Sequence, residues 1–478
     1  MNILYVNAGN AGSVGLDSFL SSPPIALMAI SPTISPDHKK YLMDLKVREF
    51  PDKTIRRLIQ KADVVAISSY TPSIKSAMRI GNIAKEFGKP VIIGGYHASL
   101  VPETVKEPMF DVSVQNEGEL SFPLLIDILE KDGKFSTETL KDVKGISYMK
   151  NGDLITNEKQ PIIQDLDTLP FPDRTLIGNT KYEYFGATVD LIESSRGCVG
   201  KCNFCCVKKH CRGVWRKKSP ERTVAEIGKC NRNAKWIGFQ DSEFTINMDR
   251  VEKICDLIID NGYENQWYSA QARADDIVRK PEIFNKMVKA GWKMLFLGIE
   301  SAHQKSLDRI GKKMTKETIK KAVEMCHDNG VTVMGAIIIG NIGETYDEVL
   351  ETIKLASKYE IDIAQFTALT PLPGTELWDE AHEKGWIEDY DWTHYDFVRP
   401  VMHTPDLTRE QINELVHKAY NDFYIGDVWG SYFWKRAPRF FGNRNHWWFF
   451  KMLPGFLKNI PSIEKFVTDI SKTPELDG

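Results

Sequence analysis

Six short apolar runs alternate with amphipathic stretches through the middle of the chain, and this alternation restricts the fold more than any other feature. The runs lie at 188–195, 235–241, 266–272, 293–300, 331–340 and 361–369. The stretches at 249–262 and 316–330 have helical periodicity, and each ends at a glycine, a common helix stop. We therefore expect six βα units in an open sheet or an incomplete barrel, with the chemistry at the carboxyl ends of the strands.

A second α/β pattern precedes this one. Strand-like runs lie at 2–9, 63–70 and 90–97, and helical patterns lie at 73–88 and 121–133. These predict a doubly wound parallel sheet, whose ligand crevice lies beyond the carboxyl ends of its strands. Asn151-Gly152 within 144–157 predicts a β-hairpin, and the prolines within 165–176 predict a linker.

Length and charge limit the domain organisation and the partners. The chain has 478 residues, and 62 basic against 65 acidic side chains give 62 − 65 = −3. This length predicts two to four domains. A net charge near zero lacks the basic excess that is typical of a dedicated nucleic-acid-binding protein. We expect four parts: an N-terminal domain at 1–143, a hairpin and linker at 144–184, the six-unit domain at 185–385, and a mostly helical C-terminal region at 386–478.

The cysteines indicate the compartment of the protein. Five of the eight lie within fourteen residues: Cys198, Cys202, Cys205, Cys206 and Cys211. Such a cluster favours metal ligation in a reducing compartment over a disulfide framework. The start, MNILYVNAGN, lacks the basic region and apolar core of a secretory signal, and no run reaches the about 18–20 apolar residues of a membrane helix. The sequence therefore predicts a cytoplasmic protein.

Three of these cysteines have a spacing that suits metal binding. Cys198, Cys202 and Cys205 form C-x-x-x-C-x-x-C directly after the run at 188–195. Three thiolates on one loop can bind three irons of a four-iron cluster and leave the fourth iron open to a small ligand. A zinc site is the alternative, with a fourth ligand from a neighbouring side chain: Cys206, His210 or Cys211. The spacing alone leaves both sites open.

The motifs around and after the cysteines occur in a recognisable order. They are RGCVGKCNFCC at 196–206, QDSEF at 240–244, SAQARAD at 269–275, LGIES at 297–301, GAIIIGNIGET at 335–345 and PLPGTELW at 371–378. Together they resemble the radical S-adenosylmethionine (SAM) superfamily. The resemblance implies a [4Fe-4S] cluster on the three cysteines, which are then the catalytic metal ligands, and SAM at its open iron. It also implies SAM contacts from Phe204, Asp241 or Glu243, Gln271, Arg273, Glu300 and Gly340.

The N-terminal region contains further matching segments. ISSYT at 67–71, GGYHAS at 94–99 and QNEGELSF at 115–122 precede the linker segment LPFPDR at 169–174. They resemble the cobalamin-binding class of the radical SAM superfamily, which includes class B methylases and related cyclases. The resemblance implies a Rossmann-like cobalamin domain, in which these segments contact the cofactor: Ser68, Ser69, Tyr70, Thr71, Gly94, Gly95, His97, Glu117 and Gly118.

The sequence does not determine the lower ligand of the cobalt. The sequence contains no D-x-H-x-x-G motif, which supplies a cobalt-ligating histidine in many cobalamin enzymes. His97 lies in a different context, and we do not assign it as a cobalt ligand. Water, another side chain or no ligand remain as alternatives.

The resemblance implies an enzyme that methylates an unactivated carbon through a 5′-deoxyadenosyl radical and methylcobalamin. A non-methylating oxidative cyclase of the tetrapyrrole type is the alternative, because the segment from 271 to 301 is similar to that branch as well. A regulator that binds cobalamin or zinc is a third hypothesis. The resemblance also implies an electron donor such as a ferredoxin or flavodoxin.

The C-terminal segment bears on the substrate class. Residues 428–463 contain no acidic residue, and aromatic and basic side chains crowd together there. This composition fits peripheral contact with lipid headgroups, a protein-docking surface, or aromatic side chains that fold back to cap the barrel. The substrate therefore stays open between a lipid, a protein residue and a tetrapyrrole.

Overall fold

The computed structural model describes residues 1–9, 20–184 and 186–426, with side chains up to residue 424. Its strands form two seven-stranded sheets and one two-stranded hairpin. The interpretation of residues 428–463 as an interfacial segment concerns positions outside the described residues.

The first sheet is built from residues 2–156. Its strands are β1 Asn2–Asn7, β2 Lys39–Asp44, β3 Val64–Ser68, β4 Val91–Gly94, β5 Val112–Val114, β6 Ile146–Lys150 and β7 Asp153–Thr156. They lie in the order β2-β1-β3-β4-β5-β6-β7, and the first five are parallel. This confirms the predicted doubly wound sheet, whose strand order reverses between β1 and β3. The predicted hairpin is also confirmed, and β6 pairs antiparallel with β5.

Helices cover both faces of the first sheet because alternate side chains of its strands point to opposite faces. The helices are α1 Ile25–Ile30, α2 Asp52–Lys61, α3 Ile74–Glu86, α4 Tyr96–Leu100, α5 Ser121–Asp132 and α6 Thr137–Leu140. Leu4 and Val6 of β1 pack with α2 and α3 in one core. Ile3 and Tyr5 pack with α1 and α5 in another. Both faces of this sheet are therefore closed, and ligand access lies at the strand ends.

The second sheet contains the six predicted strands. The strands in this half of the chain are β8 Glu183–Tyr184, β9 Ala187–Ile192, β10 Ser195–Arg196, β11 Arg216–Lys217, β12 Trp236–Phe239, β13 Trp267–Ala272, β14 Trp292–Glu300, β15 Thr332–Ile339 and β16 Ile363–Ala368. The sheet order is β16-β15-β14-β13-β12-β9-β8, with β10 and β11 in the separate hairpin. All neighbours from β9 to β16 are parallel, while β8 is antiparallel.

Helices cover one face of the second sheet. The helices of this half are α7 Val207–His210, α8 Pro220–Ile227, α9 Met248–Asp260, α10 Ala274–Arg279, α11 Pro281–Lys289, α12 Gln304–Arg309, α13 Lys316–Asp328, α14 Tyr346–Lys358, α15 Glu376–Glu383 and α16 Arg409–Tyr420. All of them except α7 and α15 pack in the core on this face. Each strand lies beside the preceding parallel strand, and right-handed crossovers then place the intervening helices on the same side. Ile237 lies in the large core with these helices, whereas its neighbour Trp236 packs with Tyr182 on the opposite face. This confirms a partial barrel.

The described part of the C-terminal region is helical around α16. Tyr420 Oη donates to the carbonyl oxygen of Phe366 at 2.9 Å, which fixes α16 against β16. The helix continues into a π-helix at Asn421–Gly426. Within the described ranges, no helix has the length and apolar composition needed to span a membrane.

Candidate active site between the two sheets

One cavity of about 760 Å³ lies between the strand ends of the two sheets. Ser68, Gly94 and Gly118 line it from the first sheet, and Gln271 and Thr367 line it from the second. The segments 195–198 and 205–207 of the cysteine loop also contribute to its wall. The two predicted cofactor regions therefore open onto one shared space, which is within the volume range of small-molecule sites.

The cysteine loop follows β9 and is held by the hairpin β10–β11. Ser195 and Arg196 pair with Lys217 and Arg216 across the hairpin. Gly197 between β10 and the first cysteine has a φ of 90°, and a side chain there would collide with the carbonyl oxygen of Val214. Glycine is required at this position because L side chains rarely adopt such a backbone conformation next to a close neighbour.

Gly200 shows that the thiols leave room for a bound cluster. Its N–H donates to Cys198 Sγ at 3.3 Å. A β-carbon at this position would lie 3.3 Å from Cys198 Sγ and 4.0 Å from Cys202 Sγ. The glycine therefore keeps the space beside both sulfurs free of a side chain. Cys198 and Cys205 also line the cavity, so the three thiols fit the ligands of a four-iron cluster.

Burial raises the pKa of every thiol in this segment. The pKa of Cys205 rises to about 12, that of Cys206 and Cys211 to about 11, and that of Cys198 and Cys202 rises as well. A bound metal reverses this effect because its positive charge deprotonates a coordinating thiol. In the described part of the chain, no three His, Cys, Asp or Glu side chains converge closely enough to hold a single metal ion. The cysteines of a four-iron cluster each bind a different iron, so their sulfur atoms do not have to converge on a single ion.

Asp241 stabilises the turn that starts the cysteine loop. This fully buried carboxylate accepts hydrogen bonds from Ser194 N at 2.7 Å and from the hydroxyls of Ser194 and Ser195, both at 2.6 Å. Burial raises its pKa, and the nearby positive charge of Arg250 opposes that rise. Arg250 itself donates to Ser194 O at 2.7 Å. The hydrogen bonds of Asp241 thus fix the backbone from which the cysteines project.

Glu243 lies in the electrostatic field of the thiols. Its Oε1 accepts hydrogen bonds from Thr245 N at 2.9 Å and Thr245 Oγ1 at 2.6 Å. Burial raises its pKa to about 7, and its charge acts on Cys198. Thr245 Oγ1 also accepts from Arg273 N at 3.1 Å, and the Arg273 guanidinium makes two 2.9 Å hydrogen bonds to Asp275. Thr245 therefore joins two of the predicted SAM-binding positions.

Glu300 ends β14 in a left-handed conformation with a φ of 62°. Its Oε1 accepts a hydrogen bond from Lys312 Nζ at 2.5 Å. Gly298 provides the space for this ion pair, since a side chain at that position would overlap both groups. The charges of Lys312 and Glu300 both act on Cys202. The sequence motifs contain Glu300 but do not reveal its partner.

The other predicted SAM-binding residues of the barrel lie in three different surroundings. Gln271 is exposed to the cavity. Phe204 packs beside the core that contains Ile338 and Leu377, away from the cavity lining. Gly340 has a φ of 81°, and a β-carbon there would lie 3.0 Å from Ile412. Gly340 thus allows α16 to approach the end of β15.

The loops after β3 and β4 interlock to form the cavity floor. Ser69 N donates to Gly94 O at 3.0 Å, and Ser69 Oγ donates to Tyr70 O at 2.9 Å. Gly95 has a φ of 96°, and a β-carbon there would lie 2.7 Å from Ser69 O. Ser68, Gly94 and Gly95 line the cavity. This floor of glycine and small hydroxyl side chains fits the close approach of a flat macrocycle.

Tyr70 and Thr71 line the cavity, whereas His97 lies behind them. Tyr70 is 44% exposed and stacks on Tyr96 with 5.5 Å between ring centroids. His97 is 2% exposed, and its Nδ1 lies 3.3 Å from Thr71 Oγ1. Its ring packs edge-to-face with the ring of Trp392, with 5.8 Å between the ring centroids. Burial lowers the pKa of His97 to about 4, so it is a neutral side chain that supports the loop.

A buried ion network links the two halves of the site, and the motifs do not predict it. Arg196, next to the cysteine loop, contacts Glu119 at 2.6 Å, Glu193 at 2.8 Å and Glu117 at 3.3 Å. Arg216 contacts Glu117 at 2.7 Å. Burial acts to raise the pKa of Glu117, but the two arginines outweigh this effect and lower it. Glu117 thus contacts the cysteine loop in addition to lining the cavity.

Comparison with known proteins assigns both halves of the chain. A family model of the radical SAM superfamily matches residues 192–356, and a model of the B12 binding domain matches residues 17–126. An uncharacterised methyltransferase of Pyrococcus horikoshii is 33% identical over 433 residues, which are 89% of this chain and 93% of the relative. An anaerobic magnesium-protoporphyrin IX monomethyl ester cyclase of Cereibacter sphaeroides is 30% identical over 78% of this chain and 61% of its own length.

Two solved structures share the fold. The cobalamin-dependent SAM radical enzyme OxsB, with aqua-cobalamin and SAM bound, has a TM-score of 0.70 at 19% identity, over 90% of this chain and 67% of its own. The radical SAM methyltransferase TsrM of Kitasatospora setae, with cobalamin and a [4Fe-4S] cluster bound, has a TM-score of 0.68 at 12% identity, over 98% and 99%. The chain therefore belongs to the cobalamin-binding class of the radical SAM superfamily and is an enzyme whose cofactors are a [4Fe-4S] cluster, SAM and cobalamin.

Proposed function

We propose that this enzyme transfers a methyl group from SAM, by way of cobalamin, to an unactivated carbon of its substrate. The shared cavity is the observation that carries the proposal. It joins the floor beside Ser68 and Gly95 to the thiols of Cys198 and Cys205 without an intervening domain wall. The similarity to a methyltransferase over 93% of that relative's length favours methyl transfer among the activities of this class.

The three cysteines would hold the cluster, and the loops after β3 and β4 would hold the cobalamin. When bound, the cluster would supply the electron that cleaves SAM, and cobalamin would carry the methyl group. The residues around them bind and orient. We propose Glu243 as the acceptor for the SAM amino group, because its pKa of about 7 would fall again beside an ammonium ion. Arg273 and Glu300 would bind SAM while Asp275 and Lys312 hold their side chains.

The far wall of the cavity supports a substrate that is uncharged where it contacts this wall. Gln365, Thr367 and Phe397 line it. The carboxylate of Asp396 beside them accepts a 2.8 Å hydrogen bond from Arg399 Nε. Phe397 is 39% exposed and has a φ of 67°, a strained conformation for a bulky residue that often marks a ligand contact. We propose that its ring contacts an apolar part of the substrate.

A second candidate function is oxidative ring formation without methyl transfer. The similarity to a magnesium-protoporphyrin ester cyclase at 30% identity favours it. The two candidates use the same cofactors but differ in the fate of the SAM methyl group. Methyl transfer gives S-adenosylhomocysteine as well as 5′-deoxyadenosine, whereas ring formation gives 5′-deoxyadenosine alone.

The experiment follows a labelled methyl group. Anaerobically reconstituted enzyme is incubated with SAM carrying a deuterated methyl group, cobalamin, a reductant, and an extract of small molecules and lipids. We expect 5′-deoxyadenosine, S-adenosylhomocysteine and a labelled product, all absent when Cys198, Cys202 and Cys205 are replaced by alanine. 5′-Deoxyadenosine without S-adenosylhomocysteine or label would overturn the methyl-transfer proposal and favour the cyclase.

A further inference from the structure

The cavity wall contains one lysine whose positive charge is not paired within the described residues. Three of the cations that line the cavity pair with carboxylates: Arg196, Arg216 and Lys218. A fourth, Arg212, donates to the carbonyl oxygen of Gln160 at 2.7 Å. The ammonium group of Lys46 also lines the cavity, but it makes no hydrogen bond and no ion pair with any residue that the structure describes. Lys46 therefore differs from the other cations of this wall.

The acidic side chains of the cavity do not offset the charge of Lys46. The carboxylates among the described lining residues each pair with an arginine: Glu117, Glu119, Glu193 and Asp396. Asp44, two residues before Lys46, is buried, and burial raises its pKa. The charge of Lys46 opposes this rise less than each of the hydrogen bonds of Asp44 does. The wall thus keeps a positive potential at Lys46, which favours an anionic ligand.

The backbone of Lys46 is held at the ends of β1 and β2. Leu45 N donates to Asn7 O at 3.0 Å, and Lys46 N donates to Asp44 Oδ1 at 3.1 Å. The same carboxylate accepts hydrogen bonds from Asn7 Nδ2 and Tyr182 Oη, both at 2.9 Å. These contacts fix the start of the side chain, so the entropy cost of placing the ammonium group is partly met before a ligand binds.

The side chain of Lys46 is held between Gly9 and Tyr70. A β-carbon on Gly9 would overlap Lys46 Cγ, so the glycine provides the space for the aliphatic stem. The Nζ atom lies over the ring of Tyr70, 4.6 Å from its centroid. Such a cation–π contact orients an ammonium group without using its N–H donors. Gly9 and Tyr70 line the cavity as well, so the donors of Lys46 are presented to this space.

The loop that carries Lys46 reaches the inner face of the second sheet. Val47 packs against the apolar cluster around Trp236, on the face of this sheet that is not covered by helices. Ile363 of β16 packs against the same cluster. Gln365 and Thr367, two and four residues further along β16, lie on the same face of the strand and line the far wall of the cavity. Lys46 therefore lies at the junction between the first domain and the substrate side of the barrel.

The SAM carboxylate has other cations beside the cluster. The positive side chains with the largest effects on the pKa of Cys198 and Cys202 are Arg273 and Lys312. Both belong to the second sheet and its loops, whereas Lys46 follows a strand of the first sheet. The charge of Lys46 is thus additional to the charges around the proposed SAM site.

We propose that Lys46 binds an anionic group of the substrate, a carboxylate or a phosphate. This proposal rests on the proposed methyl transfer and adds a substrate class to it. The substrate is an amphipathic molecule, with an apolar part against Phe397 and an anionic group at Lys46. Contacts at both ends would determine which carbon lies beside the cobalamin.

The first test uses two probes that differ in charge but hardly in shape, octanoate and octanamide. Their dissociation constants are measured by isothermal titration calorimetry on enzyme loaded with cobalamin. The wild type is compared with Lys46→Met, Lys46→Arg and a matched control, Lys229→Met. Lys229 is also exposed, and its Nζ lies 4.6 Å from the ring centroid of Phe171, but it does not line the cavity.

We expect the wild type, Lys46→Arg and the control to bind octanoate about tenfold more tightly than octanamide, because hydrogen bonds to charged groups are stronger than neutral ones. Lys46→Met should bind the two probes equally. Equal affinities in the wild type, a preference that survives in Lys46→Met, or its loss in the control would each overturn the proposal.

A second arm separates a substrate anion from the anions of the cofactors. The affinities for SAM, for cobalamin and for cobinamide, which lacks the nucleotide and its phosphate, are measured for the same proteins. Lys46→Met should change none of them. Weaker binding of SAM would overturn the proposal in favour of the SAM carboxylate. Weaker binding of cobalamin with unchanged binding of cobinamide would overturn it in favour of the cobalamin phosphate.

A third arm uses the labelled-methyl experiment described above. The labelled product should be retained by an anion-exchange column at neutral pH, and its yield at limiting extract should fall about tenfold in Lys46→Met. A labelled product that is not retained would overturn the anionic substrate class. If no product is labelled, the methyl-transfer proposal fails, and the two probes still decide whether Lys46 is an anion site.

Discussion

The two sheets use the same βα unit but add their strands in different orders, and the order determines how each one binds a cofactor. In the first sheet, the chain places β2 and β3 on opposite sides of β1, so helices close both faces and a crevice opens at the strand ends. In the second, each parallel strand lies beside the one before it. Its helices lie on one face, and on the other face side chains towards the strand ends, such as Gln271 and Thr367, line the cavity.

The cofactor surfaces differ accordingly. The first sheet offers mostly backbone and small side chains, since Gly94 and Gly95 meet the cavity directly. The second offers thiols and charged groups, such as Cys198 and Glu243, which accept backbone hydrogen bonds from Gly200 and Thr245 of their own loops. Arg196 connects the two through Glu117 and Glu119. Substitutions in each half, and in the link between them, should therefore have separable effects.

The largest effect is expected from removal of the cluster ligands in the second half. The triple variant Cys198→Ala/Cys202→Ala/Cys205→Ala should lose all cluster iron while it retains cobalamin, because no thiol of the first domain takes part. Iron and cobalamin per chain are measured after anaerobic reconstitution. The control replaces the buried Cys230, Cys255 and Cys326 by alanine and should keep its iron. Loss of cobalamin together with iron would mean that the two sites do not load independently.

The next largest effect is expected from disrupting the buried ion network around Arg196 that connects the two halves. Arg196→Met leaves Glu117, Glu119 and Glu193 without a shared cation, and unpairing buried charges costs about 3–5 kcal/mol of unfolding free energy. Urea denaturation of the apoprotein measures this loss.

Arg56→Met is the matched control for the link. The side chains of its ion pair with Glu86 are 45% and 53% exposed, so solvent screens the pair and its loss should cost far less than loss of the buried network. A similar loss in the two variants would show that the buried network does not hold the two halves together.

A smaller effect, confined to the first half, is expected from Gly95→Ala. The new β-carbon would clash with Ser69 O, and the φ of 96° disfavours alanine, which together should cost about 3 kcal/mol. Cobalamin affinity, measured by absorbance titration, should fall because the floor must shift. Gly88→Ala is the control, since Gly88 has a φ of 63° and no atom within 4 Å; it should cost about 1 kcal/mol and leave cobalamin binding unchanged.

The two sheets were predictable because their apolar runs and glycine stops repeat along the chain. The six strands of the barrel and the hairpin at Asn151-Gly152 appear where the patterns place them. Local patterns also reveal the cysteine loop, because its spacing lies within one segment. The strand orders are not local, since they depend on how crossovers pack.

The partners of the site residues were not predictable for the same reason. Lys312 lies 12 residues from Glu300, and Glu119 lies 77 residues from Arg196, so only the fold brings these pairs together. A local signal for the second pair did exist, because eight cations without an acid between 194 and 220 require distant carboxylates if any of them is buried. No pattern predicts that His97 is sequestered behind Thr71.

The smallest effect is a pH dependence that originates in the first half. Burial lowers the pKa of His97 to about 4, below its unfolded value of about 6.5. Between these values the unfolded chain binds the extra proton, so stability is complete above the unfolded pKa and falls as the pH decreases towards the folded one. From about pH 7 to about pH 5.5, this one group should lower the free energy of unfolding by about 1 kcal/mol.

The variant His97→Gln can still hydrogen-bond to Thr71 but cannot titrate. Its unfolding free energy should therefore fall less over this interval, as measured by urea denaturation of the apoprotein at both pH values. His210, whose pKa burial also lowers to about 4, is present in both proteins and cancels in the difference. Parallel pH profiles would show that His97 becomes protonated without opening the contact with Trp392, and would break the assignment of His97 as a neutral support of the cobalamin loop.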